Sequence, residues 1–468
     1  MPELPEVETV KRVLEPIVIG HTINKIDVLR ATIVNNQADA FISYFEKETY
    51  QSISRIGKFL IFHLTNNKVL ISHLRMEGKY IELLENEPNT KYARVIFHLD
   101  NNHKICYDDS RSFGRMLMSD ENSYRKEKEV AKLGPEPFDV KDIDPLFNKA
   151  KRLSLPIKTA LLSQEIITGL GNIYVDEVLF ASKIHPLTPA KLITKKEWEV
   201  IVKESSRILK EAIVAGGSTI KSYHPGKDID GNFQTSLKAY GKKDEKCVVC
   251  HTNMRFIKVN GRGTTFCPHC QKKRGAPLRI AIVGKIASGK SEVLDIFNKA
   301  GYLTISSDEI VHELYQRKEI QEKLIKKYKL DISLDFLVAL REHLKVKSKD
   351  LESLEKYIHP LVKKEIENTF KKSNSKLLVA EVPLLFKAHM ENMFDVIIGV
   401  DIKEKKQLER LSIRDQEKSA FLKRINDVNN YFDEHRNELD YLIDNNEDVS
   451  SLANKTHSII NKVLDRLN

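Results

Sequence analysis

The chain has 468 residues, of which 41% are hydrophobic and 30% charged, and its net charge is +10 at pH 7. At roughly 100–200 residues per domain this length means two to four domains, and the composition is ordinary for globular protein. No apolar run approaches the ~18 residues of a membrane span, the acidic start Met1-Pro-Glu-Leu-Pro-Glu6 is unlike a signal peptide, and five cysteines are too few for a disulfide scaffold. A cytoplasmic protein with no membrane association is expected. The positive charge is uneven: residues 1–275 carry 43 Lys+Arg against 34 Asp+Glu, and residues 276–468 carry 33 against 32. A basic first part joined to a neutral second part suggests that only the first meets a polyanion.

In chain order, residues 1–120 hold short alternating apolar runs such as Phe59-Leu-Ile-Phe-His-Leu64 and Lys68-Val-Leu-Ile-Ser-His-Leu74, which predict strands in a β-rich domain. Residues 121–150 are polar, with a loop signal at Gly134-Pro-Glu-Pro137. Helical spacing fills 150–225, broken at Gly169-Leu-Gly171 and Gly216-Gly217, and four cysteines cluster within 241–274. A basic hinge, Lys272-Lys-Arg-Gly-Ala-Pro277, precedes the strand Leu278-Arg-Ile-Ala-Ile-Val-Gly284. Helices then alternate with apolar strands such as Leu377–Glu381 and Val396–Val400, the pattern of a parallel sheet. The expected architecture is multidomain: a β-rich domain over 1–120, a helical domain over 121–240, a zinc finger over 241–274 and an α/β P-loop domain over 278–468.

Cys247-x2-Cys250 and Cys267-x2-Cys270 lie 16 residues apart. Each pair fits a tight turn with both thiolates facing one point, and two such turns build a closed, structural zinc site. Arg262 falls on the hairpin between them, where it reads as a phosphate probe or as an ordinary surface arginine. At the N-terminus, removal of Met1 would leave Pro2 with a free secondary amine. An α-amino group titrates near pH ~8, so part of it is nucleophilic at neutral pH and able to form a Schiff base with a sugar carbon. Glu3 beside it could move the proton of the opening sugar.

These features resemble the formamidopyrimidine-DNA glycosylase (8-oxoguanine DNA glycosylase) family over about residues 1–274, with the motifs in family order. The resemblance implies excision of oxidised purines from double-stranded DNA, followed by strand cleavage at the abasic site. It implies Pro2 as the Schiff-base nucleophile, Glu3 as catalytic acid and Glu6 as a further motif carboxylate. Lys58, in Arg55-Ile-Gly-Lys58, would assist β-elimination. Gly171-Asn-Ile-Tyr-Val-Asp-Glu177 matches the helix–two-turn–helix signature, with Asn172 and Lys158 expected at DNA phosphates and Arg262 gripping the phosphates at the lesion and helping δ-elimination. Met76, Arg111 and Phe113 match the residues that fill the space of a flipped base; an apolar wedge and a planar donor fork can replace part of the few kcal/mol of stacking and pairing that flipping removes. Two departures stand out. Tyr92 occupies a position where the family often has histidine, and Lys149-Ala-Lys-Arg152 does not align with the family's basic segment, leaving Arg152 as the expected DNA contact. The sister group acting on oxidised pyrimidines, endonuclease VIII, usually begins Met-Pro-Glu-Gly-Pro-Glu; this chain has Leu4 and keeps Arg111 and Phe113.

Gly284-Lys285-Ile286-Ala287-Ser288-Gly289-Lys290-Ser291 follows a strand and precedes an amphipathic segment, the setting a Walker A loop requires. Its backbone N–H groups should cradle ATP phosphates, Lys290 should reach the β/γ-phosphates and Ser291 should ligate Mg²⁺. The rest of residues 278–468 resembles dephospho-CoA kinase. Asp308, in Thr304-Ile-Ser-Ser-Asp-Glu-Ile310, aligns with the carboxylate that deprotonates the acceptor 3′-hydroxyl, while Ser306 stands where the family commonly has a second acid. Ile358-His-Pro-Leu361, Glu381-Val-Pro-Leu-Leu-Phe386, Asp444-Asn-Asn446 and the lid arginines Arg410 and Arg414 complete the likeness. The implied reaction converts ATP and dephospho-CoA to ADP and CoA, with Arg414 helping Lys290 at the transferring phosphoryl. Another nucleotide kinase, or a non-catalytic regulatory domain, is the competing reading. Nothing in the sequence supplies an intermediate shared by the two activities.

Overall fold

The computed structural model describes residues 2–218, 231–331, 333, 335–347, 349–412 and 427–467. They fall into two compact units, Met1–Gln271 and Lys272–Asn468.

The first unit begins with a helix, Leu4–Val18, that the acidic N-terminal sequence did not advertise. The Glu3 backbone N–H donates to the Glu6 carboxylate at 2.8 Å, which satisfies one donor of the first turn. Val7, Val10, Leu14 and Val18 recur at helical spacing and are buried. Eight strands follow: β1 (Ile23–Val28), β2 (Tyr50–Ile56), β3 (Phe59–Leu64), β4 (Lys68–His73), β5 (Lys79–Leu84), β6 (Ala93–Leu99), β7 (His103–Asp108) and β8 (Arg115–Asp120). They form two four-stranded sheets, ordered β1-β6-β7-β5 and β2-β3-β4-β8, and every neighbouring pair is antiparallel. Ile26, Val95 and Phe97 from one sheet and Ile53, Leu60 and Leu70 from the other share one core with the N-terminal helix.

Helices Ile157–Leu162, Asn172–Ala181 and Lys195–Val214 pack around Trp198 and Leu209. Thr194 caps the last of them by accepting from the Glu197 N–H. Beyond them β9 (Arg255–Val259) and β10 (Arg262–Phe266) make an antiparallel hairpin.

The second unit is a five-stranded parallel sheet of β11 (Leu278–Gly284), β12 (Leu303–Ser306), β13 (Leu377–Glu381), β14 (Val396–Asp401) and β15 (Tyr441–Asp444), in the order β12-β13-β11-β14-β15. Both faces are covered: Ala281 and Val283 of central β11 face one core, Ile280 and Ile282 the other. That explains why β11 reads as a continuous apolar run rather than an alternating one. The order places the loop after β11 beside the C-terminal ends of β13 and β14, where ligands bind in open parallel sheets. Among the described residues no helix is long and apolar enough to cross a membrane.

Trp198 is the chain's single tryptophan and is fully buried, so its emission reports on the first unit alone. Leu209→Ala removes a fully buried neighbour in the same core and should destabilise that unit by about 2–5 kcal/mol. An earlier urea midpoint in Trp198 fluorescence is the expected result.

Candidate active sites

Glu3 is buried, and its carboxylate faces the start of the helix Asn172–Ala181. It accepts from the backbone N–H groups of Gly171 at 2.5 Å, Ile173 at 2.9 Å and Tyr174 at 3.4 Å. These are donors that a helix leaves unpaired at its N-terminus, where the dipole also favours an anion. A Cβ on residue 171 would stand 2.3 Å from the Glu3 carboxyl carbon, so glycine alone admits this approach. Glu6 lies beside it and accepts from the Tyr174 hydroxyl at 2.7 Å and the Ser218 N–H at 2.7 Å. Pro2, immediately before Glu3, is buried.

Lys58 lies between β2 and β3 and is likewise buried. Its Nζ donates to the Leu170 carbonyl at 2.8 Å. Burial lowers the Lys58 ammonium to about 8, against the pull of Glu3 and Glu6 and with a further push from Arg262. Burial also raises Glu3 above the ordinary carboxylate range, a shift that the charge of Lys58 opposes. The pair therefore has an acid pushed up and a base pushed down, the direction that suits both to proton transfer near neutral pH.

Arg262 opens β10 and is exposed. The carbonyl of Gly263 accepts from Lys158 Nζ and from Asn172 Nδ2, each at 3.1 Å. Lys158, expected at a phosphate, is fully buried and also donates to Asp176 at 2.6 Å. The second oxygen of Asp176 accepts from the Thr265 N–H at 3.0 Å. Glu177 accepts from the N–H groups of Lys238, Ala239 and Tyr240 at 2.8–2.9 Å, anchoring the chain that leads into the cysteine region. Tyr240 comes to the same place as Glu3, Asn172 and Asp176, and burial raises its phenol. Asp176, Glu177 and Tyr240 were not singled out from sequence. The two acids stand inside the quoted signature, but their partners lie 18 residues earlier or 61 to 89 residues further on.

The four sulfurs of Cys247, Cys250, Cys267 and Cys270 all lie within 4.8 Å of one another. A tetrahedral zinc with ~2.3 Å bonds needs sulfurs about 3.8 Å apart. The Cys247–Cys270 and Cys250–Cys267 separations, 4.0 and 3.4 Å, bracket that value. Four soft donors and no open position fit a structural zinc, which would fix the base of the β9–β10 hairpin.

A second group of expected residues lies on the loops of the β-sandwich. Met76, between β4 and β5, is half-buried, and Phe113, between β7 and β8, is 50% exposed. The Arg111 guanidinium lies 5.0 Å from the Phe113 ring centroid. Buried Asp109 shapes this loop by accepting from the N–H groups of Arg111 at 3.0 Å and Gly114 at 2.8 Å. Tyr92 is exposed beside it, with Lys91 and Arg94 over its ring. Arg152 is exposed just after the helix Asp144–Ala150.

In the second unit, Gly284–Ser291 wraps the start of the helix Lys290–Lys299. Gly289 has φ +96°, and a Cβ there would meet the Asn445 amide at 2.4 Å. Four successive loop carbonyls are engaged from outside. Lys285 accepts from Lys290 Nζ at 3.0 Å, Ile286 from Gln407 at 2.7 Å, Ala287 from Arg410 at 3.2 Å and Ser288 from Asn445 at 2.7 Å. With its carbonyls so held, the loop can turn N–H groups toward an anion. Arg410, read from sequence as a lid arginine, here braces this loop. The Lys285 side chain pairs with Asp401 at 3.0 Å and Asp433 at 3.2 Å, so only its backbone is available to phosphate. Ser291 Oγ donates to Glu381 at 3.2 Å, a pair of hard oxygens suited to Mg²⁺. Burial lowers Lys290, while Glu381, Asp308 and Glu292 pull the other way. Asp308 is exposed in the first turn of the helix Ser307–Gln316. Ser306, the departure noted above, caps that helix by accepting from the Glu309 N–H at 3.4 Å. Arg414 lies outside the described residues.

Residues 1–116 match the formamidopyrimidine-DNA glycosylase N-terminal domain, 133–224 the formamidopyrimidine-DNA glycosylase H2TH domain and 244–273 the zinc finger found in FPG and IleRS; residues 278–451 match dephospho-CoA kinase. A Listeria innocua formamidopyrimidine-DNA glycosylase is 42% identical over 279 residues, and a Bacillus licheniformis one is 45% identical over 276; each alignment covers 58% of this chain and all of the relative. The structure of Lactococcus lactis Fpg with DNA containing an abasic site aligns at TM-score 0.55 and 37% identity, over 58% of this chain and all of that one. A wild-type Lactococcus lactis Fpg complex with N7-benzyl-Fapy-dG DNA aligns at TM-score 0.55 and 38% identity, with the same coverage.

Elemental analysis of the purified chain should give one zinc per chain. Cys267→Ser, at a fully buried ligand, should lose most of it while leaving Trp198 fluorescence near that of the parent.

Proposed function

The chain belongs to the formamidopyrimidine-DNA glycosylase family over 58% of its length and carries a dephospho-CoA kinase domain after it, and from that premise we propose that both halves are catalytic: the first excises 8-oxoguanine and formamidopyrimidines from duplex DNA and cleaves the strand by β,δ-elimination, and the second phosphorylates the 3′-hydroxyl of dephospho-CoA. The observation that carries the first half is the buried Glu3–Lys58 pair behind Pro2, with its acid raised and its base lowered. Four segments divide the work: a catalytic β-rich domain over 1–120, a helical DNA-binding domain over 121–240, a zinc finger over 241–274 and the kinase over 278–468.

Once Met1 is removed, the Pro2 amine attacks C1′ of the damaged nucleotide, and the C1′–N bond to the base breaks. Glu3 delivers a proton to the sugar ring oxygen as the ring opens, and the nitrogen lone pair closes the iminium. Neutral Lys58 then assists removal of a C2′ proton, and the 3′-phosphate leaves. Asn172 and Arg262 hold the flanking phosphates, and Arg262 promotes loss of the 5′-phosphate in the δ step. Met76 and Phe113 occupy the space of the flipped nucleotide, while the Arg111 fork, already stacked on Phe113, pairs with the orphaned cytosine. Tyr92 and Arg152 extend the phosphate contacts.

In the kinase, Asp308 takes the proton of the acceptor hydroxyl as its oxygen attacks the γ-phosphorus of ATP, and ADP leaves. The 284–291 backbone and Lys290 stabilise the charge of the transferring group, joined by Arg414. Mg²⁺ carried in with ATP would supply charge neutralisation for the transferring group, and Ser291 and Glu381 are the side chains that would hold it.

Nicking of a duplex with 8-oxoguanine opposite cytosine should exceed that of one carrying an oxidised pyrimidine; the reverse preference would favour the endonuclease VIII reading. The strand-cleavage rate on a preformed abasic site should rise with pH through about 8, as Lys58 loses its proton. Lys58→Arg, which stays charged, should lower the rate and reduce that limb to the part set by the Pro2 amine. Dephospho-CoA should be phosphorylated in preference to nucleoside monophosphates, and Lys290→Met should remove this activity without altering nicking.

A further inference from the structure

Lys158 and Asp176 form a fully buried ion pair that no step above uses. A pair with no access to water gives up two hydration shells, so it contributes little to stability by itself and leaves a buried charge if one partner is lost. Its geometry points to another role. Lys158 stands on the helix Ile157–Leu162 and Asp176 on the helix Asn172–Ala181. Between them they hold β10 at two backbone points: Lys158 Nζ at the Gly263 carbonyl, 3.1 Å, and Asp176 Oδ2 at the Thr265 N–H, 3.0 Å. Gly263 and Thr265 flank Thr264, whose hydroxyl donates to the Arg262 carbonyl at 3.0 Å. Arg262 is thus the first residue beyond a strand segment fastened to the helical domain. Zinc fixes the far end of the hairpin, at Cys267, and the ion pair fixes the near end.

We propose that the Lys158–Asp176 pair is a positioning strut that sets the height of Arg262 over the DNA, and that Lys158 acts on the protein backbone rather than on a DNA phosphate. A misplacement of about 1 Å in such a group lowers a rate on the order of a hundredfold, so a strut with short, buried bonds is matched to that demand. The inference rests on the reading of Arg262 as a promoter of δ-elimination.

The test is a double-mutant cycle in the full-length protein, in single turnover on 8-oxoguanine opposite cytosine, with the ratio of δ- to β-elimination product as readout. One arm is Arg262→Gln. The other is Lys158→Met with Asp176→Leu, an apolar exchange of the kind that often leaves stability unchanged or raised; zinc content and Trp198 emission check its fold. Both arms should lower the δ:β ratio, the strut exchange on the order of tenfold, and the combined variant should be no worse than Arg262→Gln alone, because groups acting through one another are non-additive. Effects that add would mean that Lys158 touches DNA itself and would overturn the proposal, as would a strut exchange that leaves the ratio unchanged. An Arg262→Gln variant with an unchanged ratio would instead refute the assignment of Arg262. If the exchange loses zinc, Lys158→Met with Asp176→Asn, which keeps an acceptor for the Thr265 N–H and removes the donor to the Gly263 carbonyl, carries the same comparison.

Discussion

A carboxylate buried away from water must be met by donors, and Glu3 finds them at the end of a helix that begins 169 residues further along the chain. Three backbone N–H groups around Gly171 converge on it, and among the described residues no side-chain cation shares its hydrogen bonds. That one contact joins the N-terminal segment to the helical domain and places Pro2 at their junction. Lys58 completes the arrangement by donating to Leu170, the residue just before the same helix terminus. Burial then drives the acid up and the base down. The same desolvation that makes the site hard to build moves its groups toward the proton affinities that the proposed chemistry calls for.

The phosphate loop of the second unit solves the related problem of binding an anion with backbone alone. Its four carbonyls are occupied by Lys290, Gln407, Arg410 and Asn445. In the first unit, Glu177 does the converse: an anion of the protein gathers the N–H groups of residues 238–240. In both units a side chain from a distant segment fixes backbone whose own hydrogen bonds are not made in a helix or sheet.

Chemistry carried by short spacings was legible in the sequence. The two Cys-x2-Cys pairs, the Gly284–Ser291 loop and the alternating strands of the sandwich each declare themselves within a few residues. What was illegible depends on contacts across long separations. Lys158 reads as a phosphate contact until Asp176 and Gly263 are seen around it. Arg410 reads as a lid arginine until it is found, with Gln407, against loop carbonyls. Ser306 looks like a lost acid, yet its hydroxyl caps the helix that carries Asp308. The N-terminal helix falls within residues expected to be β-rich, although Pro5 and Glu6 in its first turn and the stripe of Val7, Val10 and Leu14 already mark it.

The central claim is that the amine of Pro2, placed by the Glu3 cradle, is the nucleophile. Borohydride reduction of the full chain during turnover of 8-oxoguanine DNA, followed by mass analysis of the N-terminal peptide, tests it most directly. The account predicts a peptide that lacks Met1 and carries the reduced sugar on the Pro2 nitrogen. An adduct on Lys58 or on any other lysine, or on the α-amine of a peptide that keeps Met1, would contradict it.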